Sequence, residues 1–87
     1  MIGSLFTIQR LIRSFSYDDA LIQLGKLEES FSDYSTIYEM KGMVYYFKKM
    51  PEEALANYRL AFGKNTENAD AYRMKIFLEK QLNVQAK

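Results

Sequence analysis

The chain has no histidine, no cysteine and no tryptophan, and only one proline among its 87 residues. Without cysteine there is no disulfide and no thiolate nucleophile. Without histidine the commonest general base and the commonest metal ligand are missing. The sequence also has no glycine-rich loop of the kind that cradles phosphates. We therefore predict no catalytic residues, no metal site and no cofactor, which means that the protein is not an enzyme.

An excess of one charge and long apolar runs are also missing. The formal net charge is +1, which argues against nucleic acid or an anionic membrane surface as the partner. No apolar run approaches the ~20 residues that span a bilayer. The first residues lack the order of a signal peptide. With 48% hydrophobic and 26% charged residues, the chain has a globular composition. We expect one cytoplasmic domain without membrane insertion.

Apolar residues recur at helical spacing in five stretches, and no sustained alternation indicates a strand. Start and stop signals for helices flank these stretches. The predicted elements are a helix within residues 2–15, a helix over Tyr17–Ser30 with Ser16 as N-cap, a third helix starting at Ser32 or Asp33, a fourth with Pro51 in its first turn, and a fifth capped by Asn68 and ending near Leu82. The sequence thus predicts an all-α fold of five helices.

Two short runs of the sequence look alike. Asp18–Leu21 reads Asp-Asp-Ala-Leu, and Glu52–Leu55 reads Glu-Glu-Ala-Leu. Residues of similar class keep this offset, from position 18 to position 52, at several other places. A period of about 34 residues with two helices is typical of stacked hairpin repeats. We therefore expect Ala20 and Ala54 to occupy equivalent, nearly fully buried positions where helices cross.

The unit from Ser35 to Asn68 resembles the tetratricopeptide repeat family, whose unit is a helical hairpin of this length. The matching aromatic and small residues are Tyr38, Gly42, Tyr45, Ala54, Tyr58 and Ala61. The unit before it matches less well, because Ile8 stands where the family has a small residue. The resemblance implies a single domain over residues 1–87, stacked as a short right-handed solenoid from units 1–34 and 35–68 and a half unit 69–84.

In this family the first helix of each unit lines a concave groove, which implies a partner site on the first, third and fifth helices. Met43, Tyr46 and Phe47 lie on a different helix face from Tyr38 and Gly42, and exposed apolar surface often marks a partner site. The alternative is that a neighbouring helix of the same domain covers them. The candidate partner-binding residues are Leu5, Gln9, Ile12, Glu39, Met43, Tyr46, Phe47, Arg73 and Phe77.

These features favour a non-catalytic protein-binding module, an adaptor or small chaperone that holds an apolar helix or extended segment of another protein. Small proteins of this architecture act as co-chaperones for secretion or pilus subunits. The alternative is a structural homo-oligomer that pairs through its C-terminal helix, where Met74, Phe77 and Leu78 are more apolar than a solvated end should be. A weaker third alternative is RNA binding, with Lys48 and Lys49 beside aromatic residues.

Overall fold

A computed structural model describes the backbone of residues 2–83 and the side chains of residues 5–83. Over this range the protein consists of five α-helices and has no strand, which confirms the predicted all-α class. The helices are α1 (Ile2–Arg13), α2 (Tyr17–Ser30), α3 (Ser35–Phe47), α4 (Pro51–Lys64) and α5 (Ala69–Gln81). None of these helices has the length and apolar character needed to cross a bilayer. The end of the predicted half unit, residue 84, lies outside the described range.

Local sequence signals account for the starts of α4 and α5 but not for those of α2 and α3. Pro51 occupies the first turn of α4, and Asn68 caps α5 as predicted. Ser16 precedes α2, but its side chain makes no capping hydrogen bond. The prediction that α3 starts at Ser32 or Asp33 is wrong, since the helix begins at Ser35. The carbonyl of Ser32 instead accepts a hydrogen bond from the hydroxyl of Tyr38, at 2.6 Å.

The helix ends recur at a constant interval along the chain. Helices α2 and α4 begin at positions 17 and 51, and α1, α3 and α5 end at positions 13, 47 and 81. Just after the ends of α1, α3 and α5, one residue other than glycine adopts the left-handed conformation. These residues are Phe15 (φ 64°), Lys49 (φ 65°) and Asn83 (φ 57°). A left-handed residue is a common way to end a helix. The offset seen in the sequence is therefore also present in the backbone, and we call it the repeat interval.

Two groups of buried side chains hold the helices together, and each helix packs mainly on its neighbours in the chain. The N-terminal core consists of Ile8, Ile12, Ala20, Leu24, Ile37, Met40 and Val44. The C-terminal core consists of Tyr38, Ala54, Leu55, Tyr58, Ala61, Ala71 and Leu78. Helix α3 contributes to both cores and is therefore the central helix. Ala20 and Ala54 are completely buried, as predicted.

The ring of Tyr58 packs against α3 at Gly42. A β-carbon at position 42 would lie 2.8 Å from two carbons of that ring, well inside the ~3.5–4.0 Å of favourable carbon contacts. At the positions one repeat interval earlier stand Ile8 and Leu24, both completely buried in the N-terminal core. The first hairpin thus has two side chains of medium size where the second has a glycine without a side chain and a large tyrosine.

Helix α5 is attached to α4 through both apolar and charged groups. Leu78 is completely buried in the C-terminal core, so the prediction that it needs a partner chain to cover it is wrong. Beside it, Glu79 is only 5% exposed. Its carboxylate accepts a hydrogen bond from Arg59 of α4 at 3.1 Å and pairs with the ammonium of Lys75 at 3.3 Å. A buried carboxylate needs such partners, since its desolvation is costly.

We predict that Gly42→Ala lowers the free energy of unfolding by on the order of 1–3 kcal/mol through overpacking against Tyr58. This loss should exceed the ~1 kcal/mol that alanine gains over glycine in a helix. Gly25→Ala in α2 is the matched control, because no atom lies within 4 Å of its added β-carbon. It should raise stability by roughly 0.5–1 kcal/mol. Urea denaturation measures both, and equal stabilisation of the two variants would contradict the close contact.

Candidate partner-binding site

A cavity of about 400 Å³ lies between α3 and α5, and we call it the α3–α5 cavity. Its volume is within the range of sites that take a small molecule or a few side chains. Its walls come mainly from α3 and α5, and Tyr58 of α4 lies among them. The lining residues are Glu39, Met43, Tyr46, Phe47, Tyr58, Asp70, Arg73 and Met74.

Two further hollows adjoin this cavity by sharing its walls. One, of about 260 Å³, is lined by Gln9, Ile12 and Arg13 of α1 together with Met43. The other, of about 390 Å³, shares Tyr46 and Phe47 and is completed by Lys49, Pro51 and Gln81. We call the surface that comprises the α3–α5 cavity and these two hollows the groove.

A row of aromatic rings includes Tyr46 and Phe47, which line the groove. It runs from Phe15 through Tyr17, Phe47 and Tyr46 to Phe77, with successive ring centroids 6.2, 5.9, 6.2 and 6.2 Å apart. These separations suit edge-on and tilted aromatic contacts. Phe47 and Phe77 nevertheless remain 44% and 47% exposed. Exposed rings beside a cavity are the kind of apolar surface that partners cover.

The structure brings most of the predicted site residues together. Glu39, Met43, Tyr46, Phe47 and Arg73 line the α3–α5 cavity. Gln9 and Ile12 line the hollow between α1 and α3, although Ile12 also belongs to the N-terminal core. Phe77 contacts the ring of Tyr46, whereas Leu5 packs half-buried against the N-terminal core.

Both expectations for the apolar face of α3 apply in part. Met43 is half-buried against the N-terminal core and Tyr46 against the C-terminal core. Each of them also lines the α3–α5 cavity, so part of each side chain remains outside the cores. Phe47 is the most exposed of the three and packs on Tyr17 and Tyr46. A substitution at Phe47 therefore disturbs the cores least.

Three lining residues were absent from the predicted set: Tyr58, Asp70 and Met74. Asp70 lies three residues before Arg73 and four before Met74, so Asp70 shares a face of α5 with each of them. This spacing was the signal that could have found them. Tyr58 is one of the residues that match the repeat family, and its ring is buried in the C-terminal core. Tyr58 also lines the α3–α5 cavity, and this position depends on how α4 packs against α3.

Asn68 fixes the position of Glu39 in the cavity wall. Its side-chain amide nitrogen donates to Glu39 Oε1 and to Ser35 Oγ, both at 2.9 Å. The hydroxyl of Ser35 in turn donates to the carbonyl of Ala61, at 2.6 Å. The side-chain oxygen of Asn68 accepts from the amide of Ala71, at 3.1 Å. One side chain therefore joins the start of α5 to α3, and through Ser35 to α4.

The hydroxyl of Tyr58 has no hydrogen-bond partner in the part of the chain that the structure describes, although the residue is only 3% exposed. In that same part, no completely enclosed side-chain polar atom lacks a partner. The hydroxyl therefore opens onto the α3–α5 cavity that Tyr58 lines. Burial, and then the carboxylates of Glu39 and Asp70, raise the pKa of Tyr58 well above its usual range. A phenol is neutral at physiological pH in any case, and the shift extends the neutral form to more alkaline pH.

Comparison of the chain with protein-family models, with curated proteins and with solved structures gave no match. The chemistry of the site therefore has to be taken from its own residues. Within the described range no group of three or more carboxylates is arranged to hold a metal ion. The groove offers aromatic and thioether walls with a few polar groups, which is the composition of a binding site for organic groups.

The raised pKa of Tyr58 predicts a loss of stability at alkaline pH. The folded state favours the neutral phenol. Its contribution to the free energy of unfolding is therefore complete below the unfolded pKa of about 10. Above that value the contribution falls by about 1.4 kcal/mol per pH unit for one proton. Tyr58→Phe should remove this loss while leaving stability at pH 7 nearly unchanged. Urea denaturation between pH 8 and 11 measures the difference. Tyr72→Phe, on the outside of α5, is the control, and parallel curves for both variants and the parent chain would contradict the assignment.

We predict that Asn68→Ala lowers the free energy of unfolding by on the order of 1–3 kcal/mol, because it removes the cap of α5 and leaves buried groups around Ser35 with fewer partners. Asn65→Ala is the matched control, because its side chain accepts one exposed hydrogen bond, from the amide of Glu67. Asn65→Ala should lower the free energy of unfolding by less than about 1 kcal/mol. Equal losses in the two variants, measured by thermal or urea denaturation, would show that Asn68 does not join the helices.

Proposed function

We propose that this protein is a non-catalytic protein-binding module of the tetratricopeptide-repeat type. In this proposal two helical hairpins and a half unit stack as a short right-handed solenoid. The repeat interval between helix ends supports it. So do the left-handed residues Phe15, Lys49 and Asn83, which close α1, α3 and α5 at the same interval. Unrelated helices would have no reason to repeat these turns at one spacing.

The observation that carries the function is the α3–α5 cavity, whose walls combine methionines and aromatic rings. Helix α3 already contributes to both cores, yet Met43 and Tyr46 keep surface in the cavity and Phe47 remains 44% exposed. Methionine adapts to different apolar surfaces, and aromatic residues dominate the energetics of protein interfaces. The groove therefore suits an apolar helix or extended segment of another protein.

The role that follows is that of an adaptor or small chaperone in the cytoplasm. Such a module shields an apolar segment of its partner without changing it chemically. A co-chaperone for secretion or pilus subunits is one role of this kind. The groove passes over residues from α1, α3 and α5, so a bound segment would contact several helices at once. Contacts spread over several helices require the folded domain, and we expect binding to be lost when it unfolds.

The two alternatives gain less support. A homo-oligomer through α5 was expected to cover Leu78, but that side chain is buried within one chain. Of Met74, Phe77 and Leu78, only Phe77 is about half exposed. RNA binding was expected to use Lys48 and Lys49, but the ammonium of Lys48 pairs with Asp18. A light-scattering measurement of molecular mass separates the oligomer from a monomeric binding module.

The test uses a random-sequence peptide library displayed on phage and selected against the full chain. We expect apolar peptides to be enriched, and Phe47→Ala to weaken their binding by about tenfold, which corresponds to ~1.4 kcal/mol. Leu60→Ala is the matched control, because Leu60 is similarly exposed, at 48%, but lies on α4 and lines none of the three hollows of the groove. It should bind like the parent chain. The proposal fails if no peptide is enriched, or if both variants weaken binding equally.

A further inference from the structure

We infer that the segment bound in the groove carries a lysine or arginine whose side chain enters the α3–α5 cavity and places its cation among Glu39, Asp70 and the hydroxyl of Tyr58. This inference rests on the proposed function and adds the chemistry of the partner. A purely apolar segment would fill the same volume, so the argument depends on the polar groups of the cavity.

The charges that line the cavity do not cancel. Among the described lining residues, Glu39 and Asp70 are acidic and Arg73 is the one basic residue, which leaves a formal charge of −1. Arg73 pairs with Asp70 on the exposed side of α5, where both side chains are about two-thirds exposed. The neighbouring cation of α3, Lys41, is engaged by Glu28 of α2. Of the two carboxylates that line the cavity, Glu39 is thus the one without a cationic partner among the described residues.

Glu39 has hydrogen-bonding capacity to spare. One of its oxygens accepts from the side chain of Asn68, at 2.9 Å. That bond comes from a neutral amide, so it positions the carboxylate without neutralising its charge. An apolar side chain that filled the cavity would take water away from this charge and offer nothing in return, which is unfavourable. A cation would compensate the charge and donate to the remaining lone pairs.

The hydroxyl of Tyr58 provides a second, independent indication. Tyr58 as a residue is only 3% exposed, but its hydroxyl stays accessible at the cavity and has no hydrogen-bond partner in the described part of the chain. The carboxylates of Glu39 and Asp70 line the same cavity as Tyr58, and after burial they are the next causes of the raised pKa of Tyr58. Its oxygen can accept a hydrogen bond from an ammonium or guanidinium group. An aliphatic ligand would leave this hydroxyl unsatisfied.

The remaining walls suit the rest of a basic side chain. Lysine and arginine have long aliphatic stems that pack on apolar surface while the charged end stays with polar groups. Met43 and Met74 offer such surface, and the rings of Tyr46 and Phe47 can also attract a cation through their faces. A neutral amide from asparagine or glutamine could satisfy the hydroxyl but would leave the charge of Glu39 uncompensated.

The same peptide selection tests this inference. We expect the enriched peptides to share a lysine or arginine at one fixed position between apolar residues. The best peptide is then compared with an analogue that has norleucine at that position. The parent chain should bind the norleucine analogue about tenfold more weakly or worse, as expected for removal of one partner of a shielded charge pair.

Glu39→Gln is the decisive variant, because it keeps the shape and the acceptor for Asn68 and removes only the charge. It should bind the basic peptide about tenfold more weakly and the norleucine analogue as the parent chain does. Glu29→Gln, at an exposed glutamate of α2, is the control and should change neither affinity. Asp70→Asn, which lies on the exposed side of the cavity, provides a second variant and should weaken the basic peptide alone. Thermal melting of each variant verifies the fold.

The possible results separate this inference from the proposed function. Peptides that are enriched without a basic residue, and that depend on Phe47, would overturn the inference and leave the protein-binding function in place. A basic preference that is equal in the parent chain and in Glu39→Gln would also overturn it, since the cation would then bind elsewhere. If no peptide is enriched at all, the proposed function itself fails.

Discussion

The rest of the structure depends on the contact between the ring of Tyr58 and α3 at Gly42. Because position 42 has no side chain, the ring can lie against the helix, where even a single β-carbon would be only 2.8 Å away. The ring completes the C-terminal core, and its hydroxyl ends in the α3–α5 cavity. Glu39 and Met43 stand on α3 within one turn of Gly42, so the same contact sets the position of two cavity walls.

The second hairpin differs from the first at this contact. In the first, Ile8 and Leu24 hold the places of Gly42 and Tyr58, and both end inside the N-terminal core. Two aliphatic side chains fill the interior but bring no polar group to its edge. The hairpin with glycine and tyrosine also fills its core and leaves a hydroxyl at the surface of the cavity. The two hairpins therefore differ in what they bring to the groove: the second adds the hydroxyl of Tyr58, and the first contributes Gln9, Ile12 and Arg13 of α1.

Much of the fold follows from local patterns in the sequence. Helix periodicity, Pro51 at a helix start and Asn68 as a cap depend on residues close together in the chain, and these predictions hold. The start of α3 is different, because the hydroxyl of Tyr38 takes the carbonyl of Ser32 across a turn. The burial of Glu79 also escapes prediction, since it requires Arg59 from another helix.

The candidate site was predictable where it lies on one helix. Glu39, Met43, Tyr46 and Phe47 are spaced along α3, so the pattern of a single helix places them on neighbouring faces. Met74 was harder to find, because its role depends on how α5 packs against the rest of the domain. The open hydroxyl of Tyr58 could not be inferred at all, since a buried tyrosine in a core normally finds a partner for its oxygen.

The central claim is that the face built by α1, α3 and α5 binds a partner around the hydroxyl of Tyr58. The most direct measurement is an NMR titration of the isotope-labelled full chain with a selected peptide, following backbone amides and the ring signals of Tyr58. We predict that the largest shifts cluster at Met43, Tyr46, Tyr58 and Arg73. Shifts confined to the outer faces of α2 and α4, with the signals of Tyr58 unchanged, would contradict the claim.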